Sequence, residues 1–154
     1  MNRSWVATGI VVRGASILCL LGTLAACSAK VNTRNFAVSA SRDANRDSPV
    51  AVDLVIVREE ALVPTVTAMS ARQWFMDRDQ MARDHPASLE FQSWEFVPGQ
   101  IWESSGFPLS NRSGYALVVF ADYQSEGVHR VRVDPIREFR LVLRAEGFET
   151  QELR

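Results

Sequence analysis

The side chains that could do chemistry in this 154-residue chain are few, and their spacing closes most routes. Of two cysteines, Cys19 lies inside an apolar N-terminal run and Cys27 stands just after it. If the run is removed, one thiol remains, so no disulfide can form within the chain and dithiol redox chemistry is excluded. The two histidines, His85 and His129, are far apart, and neither has a cysteine or carboxylate at metal-ligand spacing. Asp84-His85-Pro86 reads as a helix terminus, and Ser104-Ser105-Gly106 lacks the strand-Gly-x-Ser-x-Gly-helix setting of a hydrolase nucleophile. Asp77-Arg78-Asp79 and Arg83-Asp84 place opposite charges on one helix surface, where ion pairing is usual. No two carboxylates stand out for acid and base work. The residues thus nominate no catalytic group, no metal site and no cofactor, and the expected protein is not an enzyme.

The chemistry that does stand out is acylation of a thiol. Leu24-Ala25-Ala26-Cys27 closes the apolar run Ala15 to Ala26, which holds Leu18, Leu20, Leu21 and Leu24 and is preceded by Arg3 and Arg13. A positive flank, a short apolar run and small residues at its end make a secretory signal, and the run is too short to span a bilayer comfortably. The four residues resemble the lipobox of bacterial lipoproteins, which implies cleavage before Cys27 and lipids on it. Several chains on one residue hold a protein firmly at a membrane. In the enteric pattern an Asp after the cysteine retains a lipoprotein at the inner membrane. Ser28 stands there, which implies the periplasmic face of the outer membrane.

The expected organisation is a signal peptide over 1–26, a lipidated cysteine with a flexible tether over 27–33, and one domain over 34–154. Cleavage leaves 128 residues, enough for one domain with a real core. Loss of Arg3 and Arg13 takes the formal net charge from −1 to −3. A mildly acidic domain has no electrostatic footprint for nucleic acid. Residues from Ser28 to about Arg34, polar and small, would reach on the order of 20 Å if extended.

Most of the domain has strand period. Phe36, Val38 and Ala40 alternate with smaller or polar residues, and Val50 to Val57 is β-branched and bounded by Pro49 and Arg58-Glu59-Glu60. Between these strands lies Ser41 to Ser48, polar and rich in turn formers, which reads as an exposed loop. Ser70 caps a helix with Gln73 at the capping-box position. Ala71, Trp74, Phe75, Met81 and Ala82 share one face, and Pro86 stops the helix. Leu89 to Val97 is a strand closed by Pro98-Gly99, and Trp102 to Gly114 reads as a long loop. Strands are expected at Tyr115 to Tyr123, Val128 to Val133 and Ile136 to Arg144. Many short strands with one inserted helix, about Ala71–Asp84, predict a mainly β fold, an antiparallel β-sandwich.

The sequence of a lipobox, a strand, a polar loop, a β-branched strand, the capped helix Ala71-Arg72-Gln73-Trp74-Phe75, Phe96-Val97-Pro98-Gly99 and the apolar strand Tyr115 to Tyr123 resembles the outer-membrane lipoprotein of the type VI secretion system, the TssJ family. That resemblance implies a transthyretin-like sandwich without catalytic activity. It also implies a partner, the periplasmic C-terminal region of the inner-membrane component TssM. The contact loop it implies joins the first two strands, here Arg42, Asp43, Ala44, Asn45, Arg46 and Asp47 within Ser41 to Ser48.

By residue type alone a polar loop of this kind is a solvated surface turn before it is a docking element. The alternating signs of Arg42, Asp43, Arg46 and Asp47 suit register and specificity across an interface. Arg58 to Pro64 is a second candidate surface. Two other readings stay open: an envelope-assembly lipoprotein with a different partner, and a small ligand-binding lipoprotein using Trp94 and Trp102. The tryptophans fit the core or its edge better than a sugar platform, and no small-molecule substrate is expected.

Overall fold

The computed structural model describes residues 29–153, so the signal segment and Cys27 lie outside the described residues. The chain forms β1 (Asn35–Ala40), β2 (Val50–Val57), β3 (Leu89–Phe96), β4 (Ile101–Glu103), β5 (Ala116–Asp122), β6 (Arg130–Arg132), β7 (Glu138–Leu143) and β8 (Phe148–Glu152). A 3-10 turn, Glu60–Leu62, leads into α1 (Val63–Ala68), followed by α2 (Ala71–Asp84). The strands make two four-stranded sheets, ordered β4-β1-β7-β8 and β3-β2-β5-β6. This is a mainly β sandwich with an inserted helix, as the sequence predicts.

The uninterrupted apolar character of β2 follows from burial on both of its faces. Val50, Val52, Leu54 and Ile56 join the core between the sheets with Phe36, Val38, Leu117, Val119, Phe139 and Leu141. Val55 and Val57 point the other way, into a second core with Val66, Ala71, Trp74, Leu89 and Phe120. The helices therefore form a third layer outside the β3-β2-β5-β6 sheet. In β7 the buried residues are Phe139, Leu141 and Leu143, the alternation of a half-exposed strand. α2 has the predicted bounds: Ser70 Oγ accepts from the Gln73 N–H, Gln73 Oε1 accepts from the Ser70 N–H, and the His85 N–H closes the last turn on Met81 O. Trp74 stacks on Phe120 with ring centroids 5.0 Å apart.

One charge is buried in this second core. Asp53, in the middle of β2, is fully buried, and its Oδ2 accepts from Trp74 Nε1 at 2.8 Å and Arg78 Nη1 at 2.7 Å. The Arg78 guanidinium lies 4.8 Å from the Phe75 ring centroid and 5.6 Å from that of Phe91. Asp53 thus fastens α2 to the sheet.

The structure departs from the sequence-based expectation in several elements. β1 and β2 lie in different sheets, and β1 pairs with β7 in parallel, from Asn35 with Glu138 to Ala40 with Leu143. Ser41 to Ser48 is accordingly a crossover between sheets. α1 occupies a stretch without a helical stripe and carries Pro64 in its first turn. β4 lies at the start of the expected long loop, and β8 is an edge strand with no fully buried residue and one large apolar side chain, Phe148, packed against the core.

The expected tether is not free from Ala29 onward. The Gly114 N–H donates to Ala29 O, Lys30 bridges to Ser113, and Val31 is buried and donates to Arg112 O. Asn32 donates to Asp134 O, the buried Thr33 hydroxyl lies 2.8 Å from Val133 O and 2.7 Å from Ile136 O, and Arg34 donates to Arg137 O. Val31 and Thr33 alternate inward while Lys30, Asn32 and Arg34 face solvent, so a segment read as polar is half core.

Candidate functional site

The crossover from β1 to β2 is held by its own backbone before any neighbour is counted. Ser41 Oγ donates to Asp43 Oδ1, the Ala44 N–H to Ser41 O, the Arg46 N–H to Asp43 O, and the Ser48 N–H to Ala44 O. Asn45, Arg46 and Asp47 are all left-handed, with φ of 45°, 56° and 62°. Asn and Asp adopt that region more readily than other side chains, whereas Arg there stores strain of about 1 kcal/mol or more. Such a run persists only where surrounding structure holds it.

That support comes from Asn45. Its Nδ2 donates to Pro49 O at 2.8 Å, its Oδ1 accepts from the Gln124 N–H at 2.8 Å, and its own N–H donates to Arg144 O. Gln124 Nε2 also donates to Ser48 Oγ, and Arg46 pairs with Glu146 at 2.9 Å. The Gly99 N–H reaches Ala40 O and Ser41 O from the turn after β3. Four connections, 41–49, 97–100, 123–129 and 144–147, therefore meet at one end of the sandwich. Beneath them Tyr123 packs against His129, the rings tilted by 30° with centroids 4.9 Å apart. Burial pushes the Tyr123 phenol up to about 12, and its hydroxyl has no hydrogen-bond partner of normal geometry among the described residues.

The six residues expected to form a contact loop divide in two. Arg42, Asp43, Arg46 and Asp47 are exposed, while Ala44 and Asn45 are buried. Ala44 and Asn45 are therefore the floor of the loop rather than contact residues. Among the described residues Arg42 and Asp47 have no ion pair, and the exposed Arg46–Glu146 pair is worth at most about 1 kcal/mol. The result is a rigid surface carrying two charges of each sign. Next to it stand two apolar side chains that sequence reasoning did not select, Val97 and Ile101, 52% and 75% exposed. Apolar groups flanked by charges match the general layout of an interface, an apolar centre with a polar rim. Their sequence signal is faint: two apolar residues flanking Pro98-Gly99.

The other candidates lie elsewhere. Arg58 stands at the opposite end of β2 and is committed to Glu90, Ser110, Asn111 and the Ser113 carbonyl, which ties down the loop before β5. Burial opposes charge on Glu90, but hydrogen bonds from the Ser110 hydroxyl and N–H, with Arg58, outweigh it and hold its pKa below the usual value. Trp94 and Trp102 pack on Phe36, at 5.3 and 5.2 Å, at the margin of the core between the sheets. Ser104 Oγ accepts from the Phe36 N–H. Among the described residues no group of three His, Cys, Asp or Glu could hold a metal ion, and no helix is long and apolar enough to cross a membrane.

No family model matches the chain, and no curated protein matches it in sequence. Solved structures do match. The type VI secretion lipoprotein TssJ1 of Pseudomonas aeruginosa aligns with a TM-score of 0.60 at 15% identity, over 80% of this chain and 98% of that one. Lip of Serratia marcescens, a membrane-bound component of the type VI secretion system, aligns at 0.57 and 16% identity, over 79% and 99%. The C-terminal domain of the type VI protein TssM from EAEC aligns at 0.58 and 10% identity, over 77% and 97%. The chain therefore has the fold that the TssJ-type lipoproteins share with the TssM C-terminal domain.

Proposed function

We propose that this chain is an outer-membrane lipoprotein, anchored through Cys27, that docks the periplasmic C-terminal region of a TssM-like inner-membrane protein and so scaffolds a type VI secretion complex. It does no catalysis. The fold is compatible with either side of such a pairing, since it resembles TssJ1, Lip and the TssM domain alike. The observation that favours the lipoprotein side is Leu24-Ala25-Ala26-Cys27, which ends two residues before Ala29, whose carbonyl is hydrogen-bonded to the domain. The docking element is the end of the sandwich carrying Arg42, Asp43, Arg46 and Asp47. Its backbone is fixed by Asn45, so little ordering cost is left to oppose binding.

The test is co-purification. The acylated chain, extracted in mild detergent, should carry acyl mass on Cys27 and retain the TssM-like protein of the same organism. A chain with Arg42, Asp43, Arg46 and Asp47 all changed to Ala should keep its acyl mass and lose the partner. Retention by both forms would move the contact elsewhere, and retention by neither would favour an envelope lipoprotein of another assembly.

A further inference from the structure

The hydrogen-bonded segment at the start of the domain has a consequence for how the protein meets the membrane. Only Ser28 separates Cys27 from Ala29, whose carbonyl is bonded to Gly114. Two residues of chain reach at most about 7 Å between Cα atoms, a third of the reach of a free tether ending at Arg34. An acylated Cys27 is fixed at the lipid headgroups, so the surface around Ala29, Ser113 and Gly114 is brought against them. This end is opposite the crossover loop: β1 leaves it at Asn35 and delivers the chain to Ser41 about 20 Å further on.

The side chains around this point suit a phosphate surface. Lys30 and Arg34 project outward from the segment. Arg112 and Arg137 bracket it through their backbone carbonyls, and Arg112 Nη1 donates to Asn32 O. Among the described residues Lys30, Arg34 and Arg112 have no ion pair, while Arg137 approaches Glu138 only at 3.9 Å. Asp134 is taken up by Arg132. Glu59, Glu60 and Glu152 also lie toward this end, so the short link sets the orientation and the cations next to it make the contact.

We propose that the domain rests directly on phospholipid headgroups through Lys30, Arg34, Arg112 and Arg137, and that this seat points the charged crossover loop away from the membrane. The proposal rests on acylation of Cys27. Its test uses the full acylated chain in vesicles of phosphatidylethanolamine and phosphatidylglycerol that contain a headgroup-attached quencher. Because Cys27 is blocked by lipid, a fluorophore can be placed on a single new thiol, Ser113→Cys in one variant and Asp43→Cys in another.

The expected result is quenching several-fold stronger at 113 than at 43, lost when seven Gly-Ser residues are inserted between Ser28 and Ala29. Changing Lys30, Arg34 and Arg137 together to Ala should weaken the contrast without releasing the protein. Equal quenching at the two positions in a chain that floats with the vesicles would overturn the seat and leave the anchor standing. A chain that carries no acyl mass and does not float would overturn both.

Discussion

Removing Arg78 tests whether the buried carboxylate of Asp53 depends on its partner. In Arg78→Ala, Asp53 keeps one donor, Trp74 Nε1, while its Oδ1 has no hydrogen-bond partner among the described residues. Breaking a buried pair from one side costs about 3–5 kcal/mol. Arg78 is 28% exposed, so water can take part of its place and the lower end applies. Loss of its stacking on Phe75 and Phe91 adds on the order of 0.5 kcal/mol. The expected loss is about 3.5 kcal/mol, a fall in Tm of roughly 13 °C for a domain of this size. Urea unfolding followed by tryptophan fluorescence measures it, with Trp74 inside the affected core. Replacing both partners, Asp53→Val with Arg78→Met, should recover only part of the loss, since apolar residues need no partner but the buried Trp74 Nε1 is left without its acceptor. A loss below about 1 kcal/mol in Arg78→Ala would refute the reasoning, because it would mean that the carboxylate does not depend on Arg78 for its partner.

Three further outcomes are expected. Asn45→Ala should cost about 2–3 kcal/mol in urea unfolding, since it removes bonds to Pro49 and Gln124 and puts a poor residue at φ 45°, whereas Arg46→Ala should stay within about 0.5 kcal/mol. Gly114→Ala should destabilise by about 1–3 kcal/mol, read as a drop in Tm, because its Cβ would stand 2.7 Å from Ile56 Cγ1 and 3.0 Å from Val57 O. Glu90 has a folded pKa below its ordinary value. A depressed carboxylate stabilises above its unfolded pKa of about 4.3, and that contribution is lost as pH falls through the folded value. Unfolding curves taken at neutral pH and at about pH 3 should therefore differ less in Glu90→Gln than in the parent protein.

How much of this was legible from sequence varies with how local the signal is. α2 was readable to its ends because Ser70, Gln73 and Pro86 are cap and stop signals that need no tertiary context. β2 and β5 were readable because they are long buried runs, and β7 because its buried residues alternate with half-exposed ones. β8 and β4 were not, since one is an exposed edge and the other has three residues. Which strands pair is not a local property at all, and the parallel partnership of β1 with β7 has no sequence signature. At the candidate site the charges were visible but the roles of Ala44 and Asn45 were not, because Asn45 is defined by Pro49, Gln124 and Arg144 across the fold. Asp53 had a legible signal, a lone carboxylate in a β-branched run.

Calorimetric titration of the chain from Ser28 onward with the periplasmic C-terminal region of the TssM-like protein is the most direct test of the docking claim. Saturable binding is predicted, abolished when Arg42, Asp43, Arg46 and Asp47 are changed to Ala with Ala44 and Asn45 left to hold the loop. No binding by the unaltered chain, or equal binding by a variant whose Tm is unchanged, would contradict it.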